Sequence, residues 1–168
     1  MMTLVHSSYT EAAEAGLVTV GRYRQTGREV KLVAEAAATL TRLMAEADAS
    51  GVGIVPISGF RTVRYQEALF LKAVAKHGSE AAAARWVARP GFSEHHTGLA
   101  VDLGDDAQPL CDVETSFEKT RAFDWLQENA GRFGFELSYP RGNSSGINYE
   151  PWHWRVVGTP EAKQIFQK

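Results

Sequence analysis

The chain has 168 residues, enough for one domain with a sizeable core, and its 44% hydrophobic and 23% charged residues are ordinary for a soluble globular protein. Its net charge of −2, without any Lys/Arg cluster, predicts no nucleic-acid partner and no attraction to an anionic membrane. No apolar run approaches the roughly 18 residues that span a bilayer. The single cysteine, Cys111, excludes an intrachain disulfide.

The first residues, Met1 to His6, lack a basic segment followed by an apolar one, which is the pattern of a secretory signal. We therefore expect a cytoplasmic protein if the sequence is full length. If a signal has been trimmed, we expect a periplasmic or cell-envelope protein. The sequence does not report the oligomeric state, and we expect a monomer.

The first half of the chain predicts mainly helices. Residues 1–28 are mixed and polar, and we expect an N-terminal arm with short strands ahead of one domain at 29–168. Apolar residues recur at helical spacing from Glu29 to Ser50, and Gly51 ends the pattern. Three further elements are predicted: a strand at 52–57, a helix at 63–76 and an alanine-rich helix at 79–87.

The second half mixes strands and helices. A strand over 99–103 would place Ala100 and Asp102 on one face. Thr115 and Glu118 have the spacing of a capping box for a helix that Gly134 ends. Strands at 135–138 and 152–157 and a helix from Pro160 complete the prediction. The order lacks strict strand–helix–strand alternation, so we expect an α+β fold, a single domain whose antiparallel sheet is flanked by helices.

Two separated segments carry the residue types of a catalytic metal site. The first runs from Ser93 to Asp102 and contains His95, and the second is Glu150-Pro151-Trp152-His153. A catalytic zinc needs three protein ligands, an open position for water and a carboxylate that accepts the water's proton. We predict that His95, Asp102 and His153 bind zinc and that Glu150 is the base.

The residues next to the proposed ligands predict the local conformation of the site. Gly98 allows a tight turn after His95, and Pro151 favours an extended Glu150, so we expect Glu150 and His153 on a strand-like segment. Neighbouring residues of a strand face opposite sides, so we expect His96 to support the site indirectly or to lie at the surface. Asp105 and Asp106 are expected in a solvated loop, from which one could orient a ligand histidine.

The two segments resemble the signature of the VanY-like D-alanyl-D-alanine carboxypeptidases. These are zinc peptidases related to VanX-type dipeptidases, L,D-carboxypeptidases and the hedgehog fold. Three further stretches are similar to that family: Ser58-Gly59-Phe60-Arg61-Thr62 with Gln66, Ala88-Arg89-Pro90-Gly91, and the residues from Phe133 to Pro140. The resemblance implies a hedgehog or D-Ala-D-Ala peptidase-like fold.

The resemblance also implies a reaction, the removal of a C-terminal D-alanine from a peptidoglycan stem peptide or its precursor. It places Arg61 in the active site, where the guanidinium would stabilise the oxyanion or anchor the substrate. It further implies that Ser93, Gln66 and Tyr139 bind the terminal carboxylate as hydroxyl and amide donors.

Several alternatives remain open from the sequence. An L,D-carboxypeptidase, a D-Ala-D-Ala dipeptidase and a phage endolysin-type endopeptidase would share these motifs. The ligand set suits zinc, and related geometries accept cobalt or manganese. A non-catalytic zinc-binding or cell-wall-binding module is the alternative from another class. The presence of both Glu150 and Arg61 argues against that module, because a structural zinc site needs neither.

Overall fold

The structure is a computed structural model that describes residues 7–166. Its first sheet is an antiparallel hairpin of β1 (Leu17–Arg22) and β2 (Glu29–Val33). The predicted helix from Glu29 is therefore wrong over its first five residues. Val30 and Leu32 alternate with polar residues and are buried, as in a half-buried strand. The helix α1 begins after this strand (Ala34–Ala49).

The second sheet has four strands in the order β3-β4-β6-β5, and every neighbouring pair is antiparallel. The strands are β3 (Ile54–Ser58), β4 (Ala100–Asp105), β5 (Phe135–Leu137) and β6 (His153–Val156). This arrangement confirms the predicted α+β class with an antiparallel sheet. All six residues of β4 are buried, so this strand lies at the centre of the molecule.

Residues 7–166 contain four more α-helices. They are α2 (Val63–His77), α3 (Glu80–Ala83), α4 (Arg121–Asn129) and α5 (Pro160–Phe166). The α2 helix begins after Thr62, whose hydroxyl accepts the Tyr65 N–H, and ends at His77 before Gly78, one residue beyond the predicted helix at 63–76. The predicted alanine-rich helix is shorter than expected, because only its first turn, residues 80–83, is α-helical.

The predicted capping box is wrong. Thr115–Lys119 forms a 3₁₀ segment, and α4 begins after Thr120, whose hydroxyl accepts the Phe123 N–H at 3.2 Å. A second cap comes from the end of β4, where Asp105 Oδ2 accepts the Ala122 N–H at 3.0 Å. Asp105 is thus buried at the start of α4, which corrects its expected place in a solvated loop. The Asp106 side chain is exposed as expected.

One large core joins the hairpin, α1, the central strands and α4. Leu40 and Leu43 of α1 and Leu103 of β4 are fully buried in it, and Phe123 of α4 packs against Trp154 of β6. The pairing of β4 with β6 sets Asp102 opposite His153. Within residues 7–166, no helix is long and apolar enough to cross a membrane.

Candidate active site

Three buried side chains converge at the pairing of β4 with β6. Asp102 Oδ1 lies 3.3 Å from His95 Nε2 and 3.1 Å from His153 Nδ1. One ligand atom from each residue lies within 4.8 Å of the other two. The structure thus brings the three predicted metal ligands together, in a spacing that one ion can bridge.

A short 3₁₀ turn, Glu94–Thr97, presents His95. Ser93 begins the turn, and its hydroxyl accepts the His95 N–H at 3.3 Å. Gly98 ends it in the left-handed conformation with φ at 67°. A Cβ atom at Gly98 would lie 2.9 Å from Val33 Cγ1, so the close approach of β2 also requires glycine.

The other nitrogen of each ligand histidine has a partner that orients the ring. His95 Nδ1 lies 2.7 Å from the Gly59 carbonyl oxygen, and His153 Nε2 lies 2.9 Å from Glu94 Oε2. A Cβ atom at Gly59 would lie 2.3 Å from the Lys31 carbonyl oxygen, so only glycine fits there. Histidines that bind metals usually hold their second ring nitrogen in this way. Two nitrogens and one carboxylate oxygen, held with their partners, fit a catalytic zinc site.

Sequence reasoning missed the role of Glu94. Its buried carboxylate accepts hydrogen bonds from Ser138 Oγ at 2.7 Å and from Arg155 Nη1 at 2.7 Å, besides its contact with His153. Burial alone would raise the pKa of Glu94, but the contact with His153 and the charge of Arg155 outweigh burial and lower it to about 2. No spacing rule could have linked Glu94 with His153, because the contact depends on the fold.

The protein groups around the two ligand histidines shift their pKa values in opposite directions. Burial lowers the pKa of His95 to about 4, and the Arg61 charge adds to this effect. Burial also opposes the charged form of His153. The hydrogen bonds with Asp102 and Glu94 outweigh burial and raise the His153 pKa to about 10. Against its own burial, the pKa of Asp102 lies well below its usual range, because both histidines and Arg61 favour the carboxylate.

Glu150 stands beside the three ligands, with Oε2 at 3.8 Å from His153 Nδ1 and a side chain only 12% exposed. It belongs to a tight turn in which the His153 N–H donates to the Glu150 carbonyl at 3.2 Å. The expected strand-like conformation is correct for His153, the first residue of β6, and wrong for Glu150, because Pro151 occupies a turn position that its fixed φ favours. Burial raises the pKa of Glu150 to about 8, against the lowering effect of His153.

Arg61 contacts the site through a ligand. Its Nη2 donates to Asp102 Oδ2 at 2.9 Å and its Nε donates to Ser58 Oγ at 3.0 Å. His96 supports the Arg61 backbone from behind: its Nδ1 donates to the Arg61 carbonyl at 2.7 Å, and its Nε2 accepts the Gly91 N–H. His96 is fully buried, so of its two predicted places the indirect support of the site is correct.

The three predicted substrate-binding residues line the same cleft as Arg61, Glu150 and the ligands, a cavity of about 240 Å³. Gln66 Nε2 donates to the Ala88 carbonyl at 2.8 Å, and the Tyr139 ring lies 4.8 Å from the His153 ring. Ser93 begins the turn of His95 and faces the cleft. All eight predicted site residues therefore meet in one cavity. Their roles there remain predictions.

A buried set of two imidazoles and a carboxylate, next to a protonatable carboxyl group and a guanidinium, defines the class of metal-dependent hydrolases. The chain belongs to the D-alanyl-D-alanine carboxypeptidase family VanY, which matches residues 29–159.

Curated relatives support this membership. The chain is 36% identical over 139 residues to a D-alanyl-D-alanine carboxypeptidase of Enterococcus faecalis, a match covering 77% of this chain and 49% of that protein. It is also 36% identical over 115 residues to the bifunctional D-Ala-D-Ala dipeptidase and carboxypeptidase VanXYC of Enterococcus gallinarum, covering 65% and 58% of the two chains. The chain thus spans about half the length of these curated relatives.

Solved structures share the fold. The LdcB LD-carboxypeptidase aligns with a TM-score of 0.78 at 31% identity, covering 96% of this chain and 78% of that one. A VanY D,D-pentapeptidase variant in complex with Zn(II) aligns with a TM-score of 0.70 at 30% identity, covering 99% and 93%. A third structure, VanYB in complex with D-alanine-D-alanine, aligns with a TM-score of 0.71 at 30% identity, covering 99% and 91%.

Proposed function

We propose that this chain is a zinc-dependent D,D-carboxypeptidase that removes the C-terminal D-alanine from peptidoglycan stem peptides or their precursors. One observation carries the proposal. The ligand atoms of His95, Asp102 and His153 face one another in the same cleft as Glu150 and Arg61. The zinc and D-alanine-D-alanine complexes of VanY structures support it by similarity.

His95 Nε2, Asp102 Oδ1 and His153 Nδ1 would hold the metal, since their remaining polar atoms are already engaged elsewhere. A bound zinc ion supplies Lewis-acid activation of a water molecule and of the scissile carbonyl. Asp102 divides its two oxygens between tasks: Oδ1 faces the histidines and Oδ2 accepts from Arg61. This division fixes the carboxylate plane and keeps Oδ1 directed at the site.

Glu150 is the proposed general base. Its carboxyl group is nearly enclosed, and its pKa of about 8 places proton exchange near neutral pH, where a general base and acid works best. It would take a proton from the attacking water and transfer that proton to the leaving amine. Because the Glu150 oxygen lies 3.8 Å from His153 Nδ1, the group stands next to the ligands without belonging to them.

Side chains with an O–H or N–H group that no protein atom accepts would bind the terminal carboxylate. Within the described residues, no protein acceptor takes the hydroxyl protons of Ser93 and Tyr139, and Gln66 Nε2 uses one of its two N–H groups on Ala88. All three side chains face the cleft. Arg61 adds a positive charge there. These groups form a donor-rich wall that suits a carboxylate or an oxyanion.

An L,D-carboxypeptidase is the second candidate. The observation in its favour is that the LdcB structure aligns with a higher TM-score, 0.78, than the VanY variant, 0.70. The two activities need the same ligands and base. They differ in the residue that precedes the terminal D-alanine, so only substrates distinguish them.

Mass spectrometry of products from three peptides tests the proposal. Zinc-loaded protein and its Glu150→Ala variant are incubated with a pentapeptide stem, a tetrapeptide stem and D-Ala-D-Ala. Loss of one D-alanine from the pentapeptide, absent in the variant, supports the D,D-carboxypeptidase. Cleavage confined to the tetrapeptide establishes the second candidate, and cleavage confined to the dipeptide indicates a dipeptidase. If zinc-loaded protein cleaves none of them, the carboxypeptidase proposal is wrong.

A further inference from the structure

A second cavity of about 430 Å³ adjoins the catalytic cleft, and none of the roles proposed above uses it. The two cavities share Leu69, Trp86 and Val87 as lining residues. The second one continues along the C-terminal half of α2. We call it the lysine groove, and the polar residues that line it but not the cleft are Lys72, Lys76, His77 and Glu114.

The lysine groove carries excess positive charge. Lys72 and Lys76 lie one helical turn apart on α2, and both are exposed. Among residues 7–166, neither ammonium group forms an ion pair. Like charges at this spacing destabilise a helix slightly, so the pair brings the isolated fold no benefit. Glu114 is the one carboxylate that lines the groove within the described residues. The groove therefore suits an anionic group.

Trp86 forms the boundary between the groove and the cleft. Its side chain is 48% exposed, although its ring stacks on His77 with 5.6 Å between centroids and 8° between planes. The stacking holds the indole in a defined position while part of it stays open to solvent. An aromatic surface of this kind can pack against a peptide that passes from the cleft into the groove.

We infer that the lysine groove is an upstream subsite, which binds a carboxylate-bearing residue of the peptide on the N-terminal side of the scissile bond. The inference rests on the proposed function. The substrate of a carboxypeptidase ends inside the cleft, so only its N-terminal part can extend beyond Trp86. Lys72 and Lys76 then select acidic peptides through charge, and Glu114 weakens that selection.

Equilibrium binding to the zinc-loaded Glu150→Gln protein tests the subsite without turnover. The probes are synthetic peptides that end in D-Ala-D-Ala and differ only by glutamate or glutamine at each of the three positions upstream. At low ionic strength, we expect the best-placed glutamate peptide to bind about five-fold more tightly than its glutamine counterpart, as for an exposed ion pair. Added salt should reduce the difference.

Charge variants in the same Glu150→Gln background distinguish the contribution of the groove from that of the overall charge of the protein. Lys72→Gln with Lys76→Gln should abolish the preference, and Glu114→Gln should increase it about two-fold. Lys163→Gln on α5, far along the chain from the groove, is the matched control and should leave the preference intact. Equal binding of all acid and amide pairs, or a preference that survives the double lysine substitution, overturns the subsite. If wild-type protein cleaves neither peptide while the binding preference persists, the proposed function is wrong, and the groove binds acidic peptides without being a subsite of that reaction.

Discussion

His153 Nε2 lies 2.9 Å from Glu94 Oε2, and this contact turns the Nδ1 atom of the same ring towards Asp102. Glu94 is itself held by Ser138 and Arg155. A chain of buried hydrogen bonds thus runs from Arg155 through Glu94 to a predicted metal ligand. We interpret Glu94 as a positioning residue, which holds the Nε2–H of His153 and so keeps Nδ1 directed at the site.

The first prediction concerns this positioning role. Glu94→Gln should weaken zinc binding about 10- to 100-fold, because an amide orients and polarises the His153 ring less well than a carboxylate. Competition with a chromogenic chelator measures the affinity. Glu136→Gln is the matched control, since Glu136 also pairs with Arg155 but is exposed and does not contact His153. Equal affinities of the two variants would contradict the role of Glu94.

The second prediction concerns the proton that His153 loses when zinc binds. His153 has a pKa of about 10 without metal, so it is protonated at pH 7 and must lose a proton to bind zinc. His95, with a pKa of about 4, has none to lose. In the Glu150→Gln variant, zinc binding near pH 7 should release about one proton. The slope of calorimetric enthalpy against buffer ionisation enthalpy gives this number, and a slope near zero would contradict the charge state of His153.

The raised pKa of His153 also determines how zinc affinity depends on pH. The proton on His153 competes with the metal at every pH below the raised pKa. Zinc affinity in the Glu150→Gln variant should therefore rise about ten-fold per pH unit as pH increases from 6 to 8. Hydrolysis of free zinc must be corrected for in that titration.

The third prediction concerns stability. Zinc at about a thousand times its dissociation constant should stabilise the fold by about 4 kcal/mol, because the ligand site exists only in the folded chain. A chelator should then lower Tm by about 8 to 16 °C for a chain of this size. His153→Ala should remove the response, and His77→Ala, outside the site, should retain it. A chelator-insensitive Tm in the zinc-loaded wild type would count against a metal site.

The fourth prediction concerns backbone strain at the rim of the cleft. Val113 has φ at 57°, the one left-handed non-glycine residue among those described, and its side chain is 42% exposed. The neighbouring Asp112 is buried and pairs with Arg24 at 2.6 Å, which holds the segment in place. A β-branched residue is strained in this conformation, so Val113→Gly should stabilise the protein by about 1 kcal/mol.

Val18→Gly is the matched control for Val113→Gly. Val18 is similarly exposed but lies in the extended strand β1, where glycine is unfavourable. Val18→Gly should therefore lower stability while Val113→Gly raises it. Urea unfolding of both variants measures the difference. Destabilisation by both substitutions would show that the Val113 conformation carries no strain.

Local sequence patterns are sufficient to predict some of the elements. The C-terminal end of α2 and the class of sheet were predictable, because Gly78 is a local stop signal and the order of elements lacks strand–helix–strand alternation. The candidate ligands were predictable because they lie within two motifs at a characteristic spacing. The turn at Glu150 was not predictable, because Pro151 is compatible with both extended and turn conformations.

Other features depend on residues that are distant in the sequence. Glu29–Val33 contains apolar residues that also fit a helical pattern, and pairing with β1 decides in favour of the strand. The cap of α4 comes partly from Asp105, at the end of a different element. The contact of Glu94 with His153 and the support of Arg61 by His96 are likewise set by tertiary structure. Local periodicity carries no information about these contacts.

In the proposed mechanism, three residues hold the metal and Glu150 moves the proton. The most direct test compares zinc content and pentapeptide turnover in the wild type and in Glu150→Gln. We expect one zinc per chain in both proteins and a rate at least about a hundred-fold lower in the variant, because only the proton acceptor is lost. Full turnover by a variant that retains its zinc would show that Glu150 is not the base.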